Sequence, residues 1–282
     1  MKIAARSFIT MLLLLPLLGG AQELYVFTEP ASNMPSASTS FKLTGRYPNS
    51  KYNNYFKQRY IPEVMFGLSK NWMFHLSGSL SDYYSVKLRP ESVKAYLKWR
   101  FLSNDDVHRH FRMATFLEAS HSRNDYLYEE FTLDGDLSGM QAGVIATQLV
   151  NRLAVSGTLS YMNGFAELTS HHINEGHGRQ MLRMVNYSLS AGYLLLPKNY
   201  TDYKQTNVNL YLELLGSSGA GHPHSYLDVA PAIQLIFNSI TKVNLGARFQ
   251  VAGNMVRVGE QTYQVSVEHT ILNTFRKGTR HK

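Results

Sequence analysis

Along residues 72–81, Trp72, Phe74, Leu76, Gly78 and Leu80 alternate with Met73, His75, Ser77, Ser79 and Ser81. Successive side chains of a β-strand point to opposite faces, so this segment predicts a strand with two unlike surfaces. The alternation recurs in residues 93–102, where Val93, Ala95, Leu97, Trp99 and Phe101 interleave with Lys94, Tyr96, Lys98 and Arg100. It recurs again in 207–214 and in 242–251. Counted along the chain, such segments predict about 12 strands: 37–46, 60–69, 72–81, 92–102, 110–120, 139–149, 153–162, 184–195, 206–215, 226–237, 242–251 and 262–275. Segments 139–149 and 226–237 are the least regular, the latter because Pro231 has no N–H to give to a ladder.

The connections carry a second pattern. Those after the even-numbered strands are short (70–71, 103–109, 150–152, 196–205 and 238–241), and those after the odd-numbered strands are longer (47–59, 82–91, 121–138, 163–183, 216–225 and 252–261). Short turns on one rim and long loops on the other mark an up-and-down antiparallel barrel in an outer membrane, with both termini on the periplasmic side. The expectation is therefore an all-β transmembrane barrel over residues 37–275. A water-soluble barrel or sandwich accounts for any one strand, but not for the alternating connections.

The chain starts with a basic stretch (Lys2, Arg6), an apolar run from Phe8 to Leu18 and small residues at 19–21. That is the order of a cleaved secretory signal peptide, 1–21, and the run is too short to span a bilayer as a helix. The expected destination after export is the cell outer membrane. Without Lys2 and Arg6, 26 of the 28 Lys and Arg remain against 20 Asp and Glu, scattered along the chain, so no nucleic-acid surface is indicated. Cysteine is absent, which excludes disulfides, thiolate metal sites and lipid attachment through an N-terminal cysteine.

The last predicted strand places Tyr263, Val265, Val267, His269, Ile271, Asn273 and Phe275 on one face. It is similar to the C-terminal signal by which the barrel-assembly machinery recognises outer-membrane proteins. It departs from that signal in His269 and in the short basic tail 276–282 that follows Phe275. More widely, the segments ELYVFTEPASNMPS (23–36), IPEVMFGLSK (61–70), RFLSNDDVHRHFRMA (100–114), SLSAGYLLLPKNYTDYKQTN (188–207) and DVAPAIQLIFN (228–238) resemble an uncharacterised family of exported outer-membrane β-barrels from the Bacteroidota. The resemblance implies an outer-membrane barrel and brings no substrate or catalytic residue with it.

If the apolar faces meet lipid, the lumen receives Glu63, His75, Lys94, Lys98, Arg100, Arg112, Glu118, Glu213, Asp228, Lys242, Arg248 and Glu268. Six cations against five carboxylates suggest pairing across the lumen, because an unpaired charge away from water is costly. The functional alternative is a weakly anion-selective pore with Lys94, Lys98, Arg100 and Arg112 as a basic wall. Residues 22–36 precede the first strand and either enter the lumen, lie across the periplasmic mouth or form a loose tail. Leu24, Tyr25, Val26 and Phe27 argue against full solvation.

Chemistry beyond passage has weak candidates. His171 and His172 share one external loop and His222 and His224 another, without tight ligand spacing on a regular element. His75-Leu76-Ser77 has the His-x-Ser spacing of the outer-membrane phospholipases, but alternation turns it into the lumen, where those enzymes face lipid. Asn104, Asp105 and Asp106 lack the glycine and distal glutamate of a calcium loop and fit a tight turn. No cofactor and no enzyme activity are indicated. The expected function is passage of a small solute through a barrel open or plugged. Two alternatives remain, a closed barrel that binds partners or stiffens the envelope through its external loops, and a lipid-modifying enzyme.

Overall fold

The computed structural model describes residues 25–50, 55–106, 109–165, 182–198, 202 and 204–275. The expected signal peptide 1–21, His171 and His172, and the tail 276–282 lie outside the described residues. Twelve strands run β1 Ser38–Pro48, β2 Arg59–Gly67, β3 Trp72–Ser81, β4 Arg89–Asp105, β5 Arg109–Ser122, β6 Gly139–Val150, β7 Leu153–Gly164, β8 Arg183–Leu196, β9 Asn207–Gly219, β10 Ser225–Phe237, β11 Thr241–Gly253 and β12 Gln261–Ile271. Each pairs with its sequence neighbours, and β1 pairs antiparallel with β12, so the sheet closes and leaves no edge.

The alternation sets which face looks out. Phe41 and Leu43 on β1 are 51% and 53% exposed, and Trp72, Leu97, Leu189, Leu212, Val265 and Val267 are also exposed on the outside. Lys98, Glu213 and Asp228 on the opposite faces are all 0% exposed. An exterior of aliphatic and aromatic side chains around an interior of charges is stable only where the solvent outside is hydrocarbon. Closure satisfies the remaining requirement of that solvent, because every strand finds ladder partners on both sides.

Pro62 and Pro231, inside β2 and β10, are tolerated where one ladder can be given up. Pro231 pairs with Leu212 of β9, whereas the β10–β11 register passes from Val229↔Phe249 to Ala232↔Gly246. Pro62 pairs with Leu43 of β1 and is skipped on the β3 side in the same way. The β10–β11 hairpin turns through Asn238 and Ser239, both at positive φ, with Ile240 N–H donating to Phe237 O at 3.1 Å. That is the mirror-image turn whose twist matches antiparallel strands.

Of the boundaries that differ from the sequence expectation, three change the picture. β4 and β5 extend toward each other, so the connection shrinks to 106–108; Asp105 holds the extension by accepting from Arg112 Nη2 at 2.8 Å and pairing with His110 Nδ1 at 2.9 Å. β9 and β10 draw flanking residues into their ladder at Ser218↔Ser225, leaving only 220–224 between them, while 197–206 joins β8 to β9. The long–short alternation therefore fails at that step. Finally, β12 stops at Ile271, not Phe275, because Thr39↔Ile271 is the last pair that β1 offers. Asn273 at φ 60 turns the chain back, and the Phe275 ring packs 6.0 Å from Phe66 on the outer surface.

Candidate functional site

Two non-strand segments, one from each rim, fold into the barrel interior among the described residues. Residues 25–36 enter from the rim where β1 begins and β12 ends. Val26 and Phe27 N–H each donate to Glu213 Oε1 at 2.9 Å, and Thr28 Oγ1 donates to Glu213 Oε2 at 2.7 Å. Ser190 Oγ adds a fourth bond to that carboxylate at 3.1 Å. Glu213 thus has four neutral donors and no cation in its shell among these bonds. Further along, Ala31 N–H donates to Thr147 Oγ1 at 2.9 Å, and Lys98 Nζ donates to the carbonyls of Pro30 and Ser32 at 2.8 Å each. Lys98 also pairs with Glu29 at 3.3 Å. The apolar part of the segment packs as well: Tyr25 and Val26 cluster with Leu149, Ala154 and Tyr211. The Phe27 ring lies against Gly246, where a Cβ would meet it at 2.7 Å, so only glycine admits this approach.

The second segment is the β5–β6 connection. Phe131, Leu133 and Leu137 bury themselves against Met162, Met184 and Met255. The acidic residues between them find cations on the wall: Asp134 pairs with Arg46 at 2.6 Å and with Lys94, and Asp136 with Arg59 at 2.7 Å. Gly135, at φ 132, turns the chain here with its carbonyl accepting from Ser122 Oγ and Asn124 Nδ2 at 2.8 and 2.7 Å. Glu130 pairs with Arg248 at 2.8 Å and Arg257 at 2.6 Å, and both guanidiniums also hold Asp228. Burial alone would push the Glu130 carboxyl up, but Arg248 and Arg257 hold it down at about 2. It therefore stays ionised at neutral and mildly acidic pH.

All twelve sequence-predicted lumen residues point inward, but their pairing is not across the lumen. Lys242–Glu268 (2.7 Å), Lys94–Glu118 (3.5 Å), His75–Glu63 (3.6 Å), Arg112–Asp105 (2.8 Å) and Arg248–Asp228 each join adjacent strands; Lys98, Glu213 and Arg248 also bond the infolded segments, and Asp228 bonds Arg257 of the β11–β12 connection. The register explains it. Lys242, Glu268, Lys42, Glu63, Ser77 and Lys94 fall in one cross-strand row, so opposite charges already alternate around that side of the wall. Nor do the four cations of the supposed basic wall form one. Lys94 and Lys98 are held by carboxylates, while Arg100 bonds Lys70 O at 2.8 Å and Arg112 bonds Asp105 near the rim.

Sequence reasoning missed Lys42, Arg46, Arg59, Glu91 and Arg257, and the acidic residues of both segments. Arg59 and Glu91 pair at 3.0 Å one residue outside the expected strand limits. The signal for the infolded connection was FTLDGDL itself (131–137), apolar and acidic residues alternating where a solvated loop has no use for buried faces.

Between the two segments lies a cavity of ≈ 340 Å³, bounded by residues 26–29 on one side and 131–134 on the other. Its cations are Lys42, Arg46, Lys94 and Arg248. Its carboxylates are Glu29, Glu63, Glu118 and Asp134. The β6–β9 wall contributes no charged residue, presenting instead Thr158, Ser160, Asn186 and Ser188 beside Ile145, Met162 and Leu215.

Other candidate chemistry is not assembled. Among the described residues no group of three or more His, Cys, Asp or Glu is placed to hold a metal. His224 pairs instead with Glu129 at 2.7 Å, and His222 caps its turn through N–H to Gly219 O at 3.2 Å. His75 and Ser77 both face the lumen, with the His75 ring 4.9 Å from Tyr96 and turned away from any lipid substrate.

No protein-family model and no curated protein matches the sequence. Among solved structures, the chain is similar to an outer membrane channel from Pseudomonas putida F1, with a TM-score of 0.57, 9% identity, and 88% of this chain and 100% of that one covered. The KdgM porin gives a TM-score of 0.44 and 11% identity over 82% of this chain and 98% of that one. At such identities the first likeness speaks for the fold. Together with the inverted surface and the closed sheet, it makes this chain an outer-membrane β-barrel.

Proposed function

We propose that the barrel is a non-enzymatic channel for a small solute, that its terminal rim faces the periplasm, and that residues 25–36 are the plug that closes it. The observation that carries this reading is how the segment is held. Among the described residues, its backbone N–H and C=O groups bond to wall side chains, Glu213, Thr147, Lys98 and Gln264. Hydrogen bonds of this kind stabilise a docked state by modest increments each, so docking is reversible in a way that a ladder is not. The outward face of β12, with Tyr263, Val265, Val267 and Ile271, is the surface we assign to the assembly machinery. Export by a signal peptide over 1–21 belongs to the same proposal.

Single-channel recording in planar bilayers tests it. The mature chain should be silent or nearly so, and a variant lacking residues 25–36 should show stepwise openings. Silence from the deletion variant, folded and inserted, would contradict the channel. That result would favour the second reading, a closed barrel with a binding or structural role, to which the independently anchored β5–β6 connection lends support.

A further inference from the structure

We infer that the cavity between the two segments is an occlusion site for a small zwitterionic solute of amino-acid to dipeptide size; this rests on the channel reading and names the class of its cargo. The argument begins with charges that the wall leaves uncommitted. Lys42 and Glu63 stand opposite each other in the β1–β2 register. Yet Lys42 makes no hydrogen bond and no ion pair within 4.0 Å among the described residues, and Glu63 has only His75 at 3.6 Å. Glu63, Glu29 and Glu268 balance Lys42 only at longer range. Beside them His75 and Tyr96, 4% and 7% exposed, each keep one polar atom, Nε2 and the hydroxyl, without a hydrogen-bond partner. Both atoms are closed off from the cavity itself, so the charged groups a ligand can reach on this side are Lys42 and Glu63.

The size and sign of the site narrow the class. A volume of ≈ 340 Å³ is at the lower end of small-ligand pockets, ~300–1,000 Å³. Cations and carboxylates lining it balance, four against four, so a ligand of net charge would meet no surplus counter-charge there. A ligand carrying both signs suits the alternating row: its carboxylate accepts from Lys42 and its ammonium donates to Glu63. The uncharged β6–β9 wall then faces the remainder of the molecule, where Ile145, Met162 and Leu215 suit an aliphatic side chain.

The experiment refolds the full chain into detergent with isotope-labelled glycyl-L-leucine present, so that entry does not depend on gating, and measures what stays bound after dialysis. One equivalent per barrel is expected. Lys42→Met and Glu63→Gln should each weaken retention about tenfold or more, the effect of losing a hydrogen bond to a charged group. N-acetylglycine and glycinamide, each of one sign, should not be retained. Heat-dependent gel mobility establishes that both variants are folded. No retention of the dipeptide, or retention unchanged in both variants, overturns the inference, as does equal retention of glucose. Openings by the plug-deletion variant would leave the channel standing whichever way this result falls.

Discussion

Glu213→Ala is expected to open the barrel without any deletion. Its carboxylate accepts from the N–H groups of Val26 and Phe27 and from Thr28 Oγ1, three of the bonds that fix the start of the plug. Bonds to a charged acceptor are worth about 1.5–3 kcal/mol each. Even if water recovers half of the total, the docked state loses ~3 kcal/mol, and its population relative to the undocked state falls about a hundredfold. The truncation also strands two N–H donors beside the apolar cluster of Tyr25, Leu149 and Tyr211. Planar-bilayer recordings should therefore show frequent openings in Glu213→Ala, few in Glu213→Gln, whose amide oxygen still accepts, and next to none in the parent chain. A silent Glu213→Ala barrel would remove the plug from the account.

Asp228→Ala is expected to be the most destabilising single change in the wall. Asp228 is 0% exposed, accepts from Arg257 Nη1 and Nη2 at 2.8 Å each, and bonds Arg248 Nε. Its removal leaves two guanidiniums sharing the Glu130 carboxylate, with Gln250 Oε1 accepting from Arg257 at 3.0 Å and Tyr226 4.3 Å from one guanidinium and 4.9 Å from the other. Breaking a buried pair by deleting one partner costs about 3–5 kcal/mol, more than replacing the pair outright. Guanidinium unfolding in detergent, followed by tryptophan fluorescence, should show that loss in Asp228→Ala. The double variant Asp228→Leu/Arg257→Leu should lose less, because Arg248 and Glu130 remain matched one to one. Equal losses in the two would show that charge pairing is not what Asp228 contributes.

What the sequence disclosed and what it hid follow from range. Lipid outside and charge inside impose opposite demands on neighbouring residues, so Trp72-to-Ser81 or Lys242-to-Val251 announces itself within one strand. Partner choice depends on register, which no single strand contains: Lys42, absent from the inward set read from the sequence, gains its role only when the ladder places it between Glu268 and Glu63. Boundaries failed where a neighbour decides them, as when β1 runs out opposite Ile271. Loop length suggested a solvated connection at 121–138, whereas Phe131, Leu133 and Leu137 had reason to turn inward. The site therefore depends on two segments whose roles come from tertiary contacts, and the scaffold on a period written locally.

Because the chain has no cysteine, single cysteines can be placed at will and spin-labelled. Labels at Leu212, Val265 and Val267 should collide freely with membrane-dissolved oxygen, and labels at Asn209 and Ser266, one residue removed in strand phase, should be shielded from it. Oxygen reaching the second set and sparing the first would mean that the aliphatic faces are packed inside a water-facing body, and the barrel described above would be inside out.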